Sequence, residues 1–284
     1  MIYITSDSTA DLGLLAKERN VYSLPLAVIL NGEYHEDGVD VNPSLIYETV
    51  DKTGSLPKTS ARSVEEYKEF FSSVKKSDED AIVHFSISSG ISVTCRNAIL
   101  AAEEIKNVYV VDGKSLSTGT GLLVLYGCDL RDEGKSAQEI KELCEKRIEY
   151  VQASFFVDKM DYLHKGGRCS GLASFFATQL KLKPSLLLKD GKIVVGKKYR
   201  GTSEKIASQY VDNIFEMYPN PDLKRIFVTY TEGTSPEVIE IIKNRVNETY
   251  KFENVYETVA SSTITCHCGK GTIGILFIND GDKI

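Results

Sequence analysis

The sequence predicts an α/β protein with two domains, a parallel-sheet α/β domain followed by an α+β domain. Three observations lead to this prediction. The chain has 284 residues, enough for two domains of ordinary size. In its first half, short apolar segments alternate with amphipathic segments, as in a parallel sheet covered by helices. Its second half has a hairpin signal among further helices, so we place the domains at residues 1–155 and 156–284.

The first domain opens with a strand, a helix start and a hairpin. Residues 2–4 are apolar, and three short polar side chains at 7–9 can cap a helix that begins near Ala10. The stretch "VYSLPLAVIL" at 21–30 predicts one buried strand. The stretch "NGEYHEDG" at 31–38 predicts a turn followed by a short return strand.

Helices and strands then alternate up to residue 134. Ser63 and Glu66 have the spacing of a capping box, which marks the start of an amphipathic helix after the polar loop "LPKTSAR". The predicted elements, in order, are a helix in 41–52, that loop and helix in 56–76, a strand in 81–88, a turn and helix in 88–105, a strand in 108–113 and a helix in 117–134.

The second domain combines a hairpin with helices. Asp190 and Gly191 lie between two apolar runs in 183–201, which is a hairpin signal. The other predicted elements are a strand, a short helix and a glycine turn in 153–170, helices in 204–218 and 235–250, and strands in 225–233, 254–261 and 272–280.

Composition and charge exclude several classes of function. The formal net charge is -6, with 26% charged and 42% hydrophobic residues, as in ordinary globular proteins. Because the chain has no basic excess, we expect no nucleic-acid partner. No apolar run approaches the roughly 18 residues of a membrane span, so we expect no stable membrane insertion. The first residues lack the pattern of a secretory leader, and we expect a cytoplasmic protein whose cysteines stay reduced.

The stretch "ITCHCGKGTIGILFIND" at 264–280 raises the question of a metal or phosphate site. A zinc site needs a second pair of ligands beside Cys266 and Cys268, and the sequence has no matching pair. A phosphate loop needs G-x-x-x-x-G-K-[ST] before a helix, whereas "GKGT" leads into a strand. We therefore predict no metal and no cofactor, and we interpret this stretch as a tight turn of small residues.

The histidines offer one candidate for chemistry. The sequence has no G-x-S-x-G pattern, which argues against a serine hydrolase. His84 lies in an apolar strand and is predicted to be structural, and His35 and His164 are predicted near the surface. His267 is followed by glycines and is the candidate to face a cleft. The apolar stretch at 171–188 is predicted to be core rather than the wall of a tunnel.

Loops rich in hydroxyl groups are the other chemical feature. The stretches "SDSTAD", "SSGISVT" and "DGKSLSTG" follow strands, where parallel sheets bind ligands, and "PKTSARS" is a further hydroxyl-rich turn. Thr59, Ser60, Ser89 and Ser92 can donate hydrogen bonds to a carboxylate beside a histidine. Such side chains can equally cap helices, and both interpretations stay open.

Several stretches together resemble the DegV family, which includes the fatty-acid-binding subunits of bacterial fatty acid kinase. The matching stretches are "SDSTADL", "LPL.V..NG..Y.DG.D", "PKTS", "SISSGIS.T..NA", "VVDGKSLSTGTG", "YLHKGGR", "KPSLLLKDGKI" with "KYRG", and "HCGKGTIGI". Each stretch alone is weak. The set is specific because its members occur in the family's order over nearly the whole chain.

The resemblance implies a largely antiparallel sheet in the second domain and a ligand tunnel at the interface between the domains. Residues that match the family's carboxylate contacts are Thr59, Ser92 and His267, with Ser60 and Ser89 as neighbours. Residues that match arginines near the carboxylate end are Arg168 and Arg200, which suit docking of the kinase or contact with an acyl phosphate.

The implied function is to bind one long-chain fatty acid and to present its carboxylate to a separate ATP-dependent fatty acid kinase. That kinase would make an acyl phosphate for phospholipid synthesis, and the chain itself would not be an enzyme. Two alternatives stay open. The first is an enzyme that acts on a small carboxylate or acyl substrate with His267 as acid or base. The second is a structural or regulatory module whose lipid is incidental.

The sequence departs from the family pattern at three places near the expected mouth of the site. Val93, Thr94 and Cys95 replace the usual Gly-Thr-Tyr, and Arg62 and Lys270 stand where prolines are usual. All the implied carboxylate ligands are retained.

Overall fold

The computed structural model describes residues 1–157, 161–168 and 182–281, which form three β-sheets with helices around and between them. Two sequence predictions concern parts of the chain outside these residues. They are the prediction of core for 171–188, most of which is not described, and the prediction that the His164 side chain lies near the surface.

The first sheet is parallel throughout and confirms the predicted α/β layer. Its strands are β1 (Ile2–Asp7), β2 (Val21–Leu24), β6 (Ala81–Ser86) and β7 (Val108–Asp112). They lie in the order β2-β1-β6-β7, and every neighbouring pair is parallel. The carboxyl ends of β1 and β6 are therefore adjacent, and the hydroxyl-rich loops that follow them meet at one edge of the sheet.

A second sheet is small and antiparallel, and it carries one candidate residue. Its strands are β3 (Ala27–Leu30), β4 (Glu33–Glu36) and β5 (Lys58–Ser60), in the order β4-β3-β5. The prediction of one strand over 21–30 was wrong, because Pro25 has no N–H to donate and separates β2 from β3. The prediction of a loop at 56–62 was also wrong, since β5 pairs with β3 and sets Thr59 opposite Val28.

The third sheet has six strands and is antiparallel except at one edge. The strands are β8 (Val151–Phe156), β9 (Lys183–Lys189), β10 (Lys192–Tyr199), β11 (Ile226–Tyr230), β12 (Val255–Val259) and β13 (Ile273–Ile278). Their order is β10-β9-β8-β13-β11-β12, and only β11 and β12 run parallel. This arrangement confirms the expected antiparallel character. The expected domain boundary between 155 and 156 falls inside β8, and we propose a boundary just before Val151.

Most of the predicted helices are present. Within the described residues, the α-helices are α1 (Leu14–Glu18), α2 (Pro43–Thr53), α3 (Val64–Val74), α4 (Thr94–Ala102), α5 (Thr118–Asp132), α6 (Ala137–Arg147), α7 (Asp161–Gly166), α8 (Ser203–Met217), α9 (Pro236–Thr249) and α10 (Ser262–Cys268). The capping box of Ser63 and Glu66 is present at the start of α3. The helix expected near Ala10 begins instead as a single 3₁₀ turn, and α1 follows it.

Helix α5 lies between the parallel sheet and the six-stranded sheet. It contacts β1 and β6 on one side and β8 and β13 on the other. Its residues are apolar or small around most of the helix, which is typical of a helix buried on all sides. Gly121 and Gly127 allow this close packing, since a Cβ there would lie 2.7 Å from the Ala10 carbonyl oxygen and 2.6 Å from Phe85 Cζ. One apolar core therefore runs through both halves of the chain.

Candidate functional site

A cavity of about 700 Å³, hereafter the main cavity, lies where the two halves of the chain meet. Its wall combines β5, the loop after β6, α7, β10 and α10. Apolar side chains supply much of the wall, among them Leu26, Ile87, Leu116, Leu163, Ile193 and Ile264. Six of the seven candidate residues also line it: Thr59, Ser60, Ser89, Ser92, Arg168 and His267. Loops and elements distant in sequence thus supply one apolar space with several hydrogen-bonding groups.

Thr59 and His267 form a hydrogen-bonded pair on the wall of the main cavity. Thr59 Oγ1 lies 2.8 Å from His267 Nε2, although the two residues are 208 positions apart. Thr59 comes from β5 and His267 from the last turn of α10, so the small sheet and the C-terminal helix together create the pair. Both residues are half-buried.

His267 is neutral at physiological pH. Burial and, to a smaller extent, the nearby positive charge of Arg168 together lower its pKa from 6.5 to about 4. Its Nδ1 atom is buried and has no hydrogen-bond partner among the described residues. The arrangement in which Nε2–H donates to Thr59 Oγ1 leaves Nδ1 as an unprotonated nitrogen, which avoids burying an unpaired N–H.

The serines occupy two different environments. Ser92 Oγ lies 2.7 Å from Thr94 Oγ1 and accepts a hydrogen bond from Thr94 N, so it acts partly as a cap at the start of α4. Ser89 is exposed, and its hydroxyl accepts a hydrogen bond from Lys114 Nζ at 2.8 Å. Ser60 Oγ donates to the Ala61 carbonyl at 3.3 Å. Ser92 therefore accepts from the first N–H of α4 and also lines the main cavity, so both interpretations of this serine stay open.

The two candidate arginines are placed differently. Arg168 is exposed, lines the main cavity and lies close enough to His267 to influence its pKa. Arg200 is exposed just after β10 and is not among the described residues of the cavity wall. The structure therefore brings together Arg168 and the polar groups of the cavity, and leaves Arg200 outside this group.

The interpretation of "CHCGKGT" as a tight turn was wrong for its first residues. Cys266, His267 and Cys268 belong to α10, whose N-cap is Ser261, and the turn begins only at Gly269. Gly269 has φ of 68°, and a Cβ there would lie 2.7 Å from Tyr162 Cδ2, so only glycine fits. Both thiols are buried, and burial raises the pKa of Cys268 to about 12, which leaves it unreactive.

The departures from the family pattern divide into two groups. Val93 lines the main cavity beside Thr94, which matches the family, whereas Cys95 is buried and is not among the described residues of the cavity wall. Arg62 was expected at the mouth but is buried in ion pairs with two glutamates, and Lys270 lies with its Nζ 4.6 Å from the centre of the Tyr47 ring. Neither cation is among the described residues of the cavity wall.

Sequence reasoning missed two polar residues of the main cavity. Thr263 lies four residues before His267 on α10, and its hydroxyl is buried without a partner among the described residues. Arg96 lies in the first turn of α4 and is exposed. Residues four apart on a helix lie on the same face, so the spacing of Thr263 and His267 was the available signal. It could not be used, because no helix was predicted there.

Comparison with known proteins decides the family. The model of the DegV family, described as uncharacterised proteins, matches residues 1–280. The chain belongs to the DegV family. A relative from Thermotoga maritima, named a fatty acid-binding protein, is 28% identical over 279 residues, which cover 96% of each chain.

Solved structures of similar proteins have the same fold. A fatty-acid-binding DegV family protein from Thermus thermophilus matches with a TM-score of 0.88 and 28% identity, covering 98% of this chain and 99% of that one. A stearic acid-binding protein from Eubacterium ventriosum matches with a TM-score of 0.83 and 25% identity over 100% of both chains. These proteins are relatives of the present chain within one fold.

Two further findings concern only the described ranges 1–157, 161–168 and 182–281. They contain no group of three or more His, Cys, Asp or Glu side chains arranged to hold a metal ion. They also contain no helix with the length and apolar character needed to cross a bilayer.

Proposed function

We propose that this protein binds one long-chain fatty acid, with its tail in the main cavity and its carboxylate at the Thr59–His267 pair. The observation that carries this proposal is the pair itself. A hydroxyl and a neutral imidazole, 2.8 Å apart, lie on the wall of a largely apolar cavity of about 700 Å³. Relatives with the same fold are described as fatty-acid-binding proteins, which supports the proposal.

The pair has the right chemistry for a carboxylate. When neutral His267 donates its Nε2–H to Thr59 Oγ1, the hydroxyl proton of Thr59 remains available for a ligand oxygen. Ser92 can supply a second hydroxyl from the facing loop, and the positive charge of Arg168 offsets the negative head group. An anion buried without such partners would be strongly unfavourable.

The tail supplies most of the affinity and the head supplies selectivity. Burial of each CH₂ contributes about 0.8 kcal/mol, so a chain of roughly sixteen carbons contributes on the order of 10 kcal/mol before ordering costs. Hydrogen bonds to a charged group add about 1.5–3 kcal/mol. An acid should therefore bind more tightly than an alcohol of the same length.

We further propose that the protein is a cytoplasmic carrier that presents the carboxylate to a separate ATP-dependent fatty acid kinase. The acyl phosphate would then feed phospholipid synthesis. Arg168 at the cavity wall and the exposed Arg200 are proposed to contact the kinase or the acyl phosphate. A histidine with a pKa of about 4 is poorly matched to acid–base catalysis at neutral pH, which disfavours an enzyme that uses His267 in that role.

Mass spectrometry of lipid extracted from the purified protein tests the binding proposal. We expect a long-chain fatty acid at close to one molecule per chain. Protein that is recovered empty and shows no affinity for added fatty acid would refute it. Ser92→Ala and His267→Ala should each weaken retention of the acid, and unchanged retention in both variants would refute the head-group assignment.

Reconstitution with the cognate kinase and ATP tests the carrier role. We expect acyl phosphate only when this protein, its fatty acid and the kinase are all present. A protein that binds fatty acid but supports no acyl phosphate in this assay would be a lipid-binding module without the carrier role.

A further inference from the structure

Helix α10, which carries His267, is held at its start by a carboxylate from the other half of the chain. Asp37 Oδ1 accepts a hydrogen bond from Ser262 N at 2.8 Å, and Asp37 Oδ2 accepts one from Thr263 N at 3.2 Å. The first N–H groups of a helix have no partner within it, so this carboxylate satisfies two of them. A helix of only seven residues has little stability of its own and depends on such contacts.

The same aspartate is joined to the small sheet that carries Thr59. Asp37 follows β4 directly, and its N–H donates to the Leu26 carbonyl at 2.9 Å, just before β3. Ser262 Oγ donates to the Val41 carbonyl at 3.1 Å and adds a second link between α10 and this segment. Since β3 pairs with both β4 and β5, the position of Thr59 is fixed relative to Asp37.

Further hydrogen bonds hold the Asp37 carboxylate in place and add a second link to the start of α10. Ser8 Oγ donates to Asp37 Oδ2 at 2.7 Å and accepts from Leu26 N at 3.1 Å. Beside it, Asp11 Oδ1 accepts from Ser261 N at 2.9 Å, at the N-cap of α10. Asp37 is only 4% exposed, so its rotamer is determined by these partners.

Asp37 does not line the main cavity. It borders a separate cavity of about 420 Å³ together with Asp11. Any effect of Asp37 on a ligand in the main cavity must therefore pass through the elements that it joins.

We propose that Asp37 is a positioning residue for the head group, which sets the distance between Thr59 and His267 by joining the small sheet to α10. This inference rests on the proposed function. Its consequence is that Asp37, which cannot touch the fatty acid, controls how well the protein distinguishes an acid from a neutral lipid.

Asparagine is a sharp test because it keeps the shape of aspartate. Each oxygen of Asp37 accepts from a backbone N–H of α10. In Asp37→Asn one of these acceptors becomes an NH₂ group, so in either orientation a donor faces a donor. The helix should then shift, while the apolar wall outside α10 stays in place.

The experiment compares delipidated wild-type protein with Asp37→Asn in binding a long-chain fatty acid and the alcohol of the same length. Asp280→Asn is the matched control, because Asp280 is also a buried carboxylate but pairs with Arg147 away from the main cavity. His267→Ala and the double variant Asp37→Asn/His267→Ala complete a thermodynamic cycle. The imidazole nitrogen shifts of His267, measured by NMR, report its hydrogen bonding directly.

We expect Asp37→Asn to reduce the preference for acid over alcohol by about fivefold, which is about half, in free energy, of the effect of losing one hydrogen bond to a charged group, and to move the His267 shifts. Asp280→Asn should keep the wild-type preference, and Asp37→Asn should have no further effect when His267 is absent. A wild-type preference and wild-type shifts in Asp37→Asn would overturn the inference. The inference would also be overturned if the double variant lost as much preference as the sum of the losses in the two single variants.

Failure of the proposed function gives a different result. If His267→Ala keeps the full preference for the acid, the head-group assignment fails and the positioning role fails with it. If His267→Ala loses the preference but Asp37→Asn keeps it, only the positioning role is overturned. Should Asp37→Asn not fold, Ser8→Ala removes one bond to the same carboxylate. A smaller shift in the same direction supports the inference, and an unchanged preference overturns it.

Discussion

The Thr59 hydroxyl should decide whether the main cavity distinguishes a fatty acid from a fatty alcohol. Thr59→Val keeps the branched shape and removes the hydroxyl. The hydroxyl lies 2.8 Å from His267 Nε2, so its loss removes both that hydrogen bond and the proposed bond to the ligand. The first loss should lower the free energy of unfolding by ~1 kcal/mol. The second should weaken binding of the acid by about ten- to a hundredfold, since a bond to a charged group contributes about 1.5–3 kcal/mol.

The assay is titration calorimetry of delipidated protein with a fatty acid and with the alcohol of equal length, together with urea unfolding. Affinity for the alcohol should change little in Thr59→Val. Thr258→Val is the control, because Thr258 also loses a hydroxyl pair, here with Thr229 in the six-stranded sheet; this pair is more buried than that of Thr59 and does not line the main cavity. If Thr59→Val weakens acid and alcohol binding by the same factor, the hydroxyl does not contact the carboxylate and the head-group assignment is wrong.

Three other predictions follow from local features. Burial raises the pKa of Asp11 from 3.8 to about 7, so its folded form holds a proton that the unfolded chain releases above pH ~4. The contribution of Asp11 to the free energy of unfolding should therefore fall as the pH rises from about 4 to 7, whereas His84 and His267, whose pKa values are lowered by burial, contribute in the opposite direction. In urea titrations, Asp11→Asn should make the slope of the free energy of unfolding against pH more positive between pH 4 and 7 than in the wild type, and an unchanged slope would contradict the assignment. Gly269→Ala should lower the melting temperature more than Gly54→Ala, because both have positive φ but only Gly269 lies against the Tyr162 ring; equal decreases would show that the ring contact is unimportant. Arg200→Ala should reduce kinase-dependent acyl phosphate yield more than fatty-acid binding, whereas parallel losses would place Arg200 at the ligand instead.

The sequence predicts the regular elements well where the pattern is local. The parallel strands, the hairpin at 183–201 and the capping box before α3 all follow from neighbouring residues, and all are present. The errors are of two kinds. Residues 58–60 become a strand only because the distant β3 offers an edge for pairing. Helix α6, in contrast, was overlooked although its local signal, the capping box of Ser136 and Glu139, is present.

In the candidate site, too, local features were predictable and contacts between distant residues were less so. The types of residue were predictable, since hydroxyls beside a histidine suit a carboxylate. Their grouping was expected only from the resemblance to the DegV family and not from local patterns, because Thr59 and His267 meet only through the folding of the small sheet against α10. The burial of Arg62 was not predictable for the same reason. Arg62 is buried beside Glu36 and Glu66, a partnership that the sequence order does not reveal.

The location of α5 between two sheets has a consequence for how the protein loses its structure. A helix that belongs to both apolar interiors cannot leave one of them without exposing the other. The halves should therefore melt as one cooperative unit, with a single calorimetric transition whose van't Hoff and calorimetric enthalpies agree. A fragment that ends near residue 150 would leave one side of that helix bare to water and should aggregate rather than persist as an independent domain.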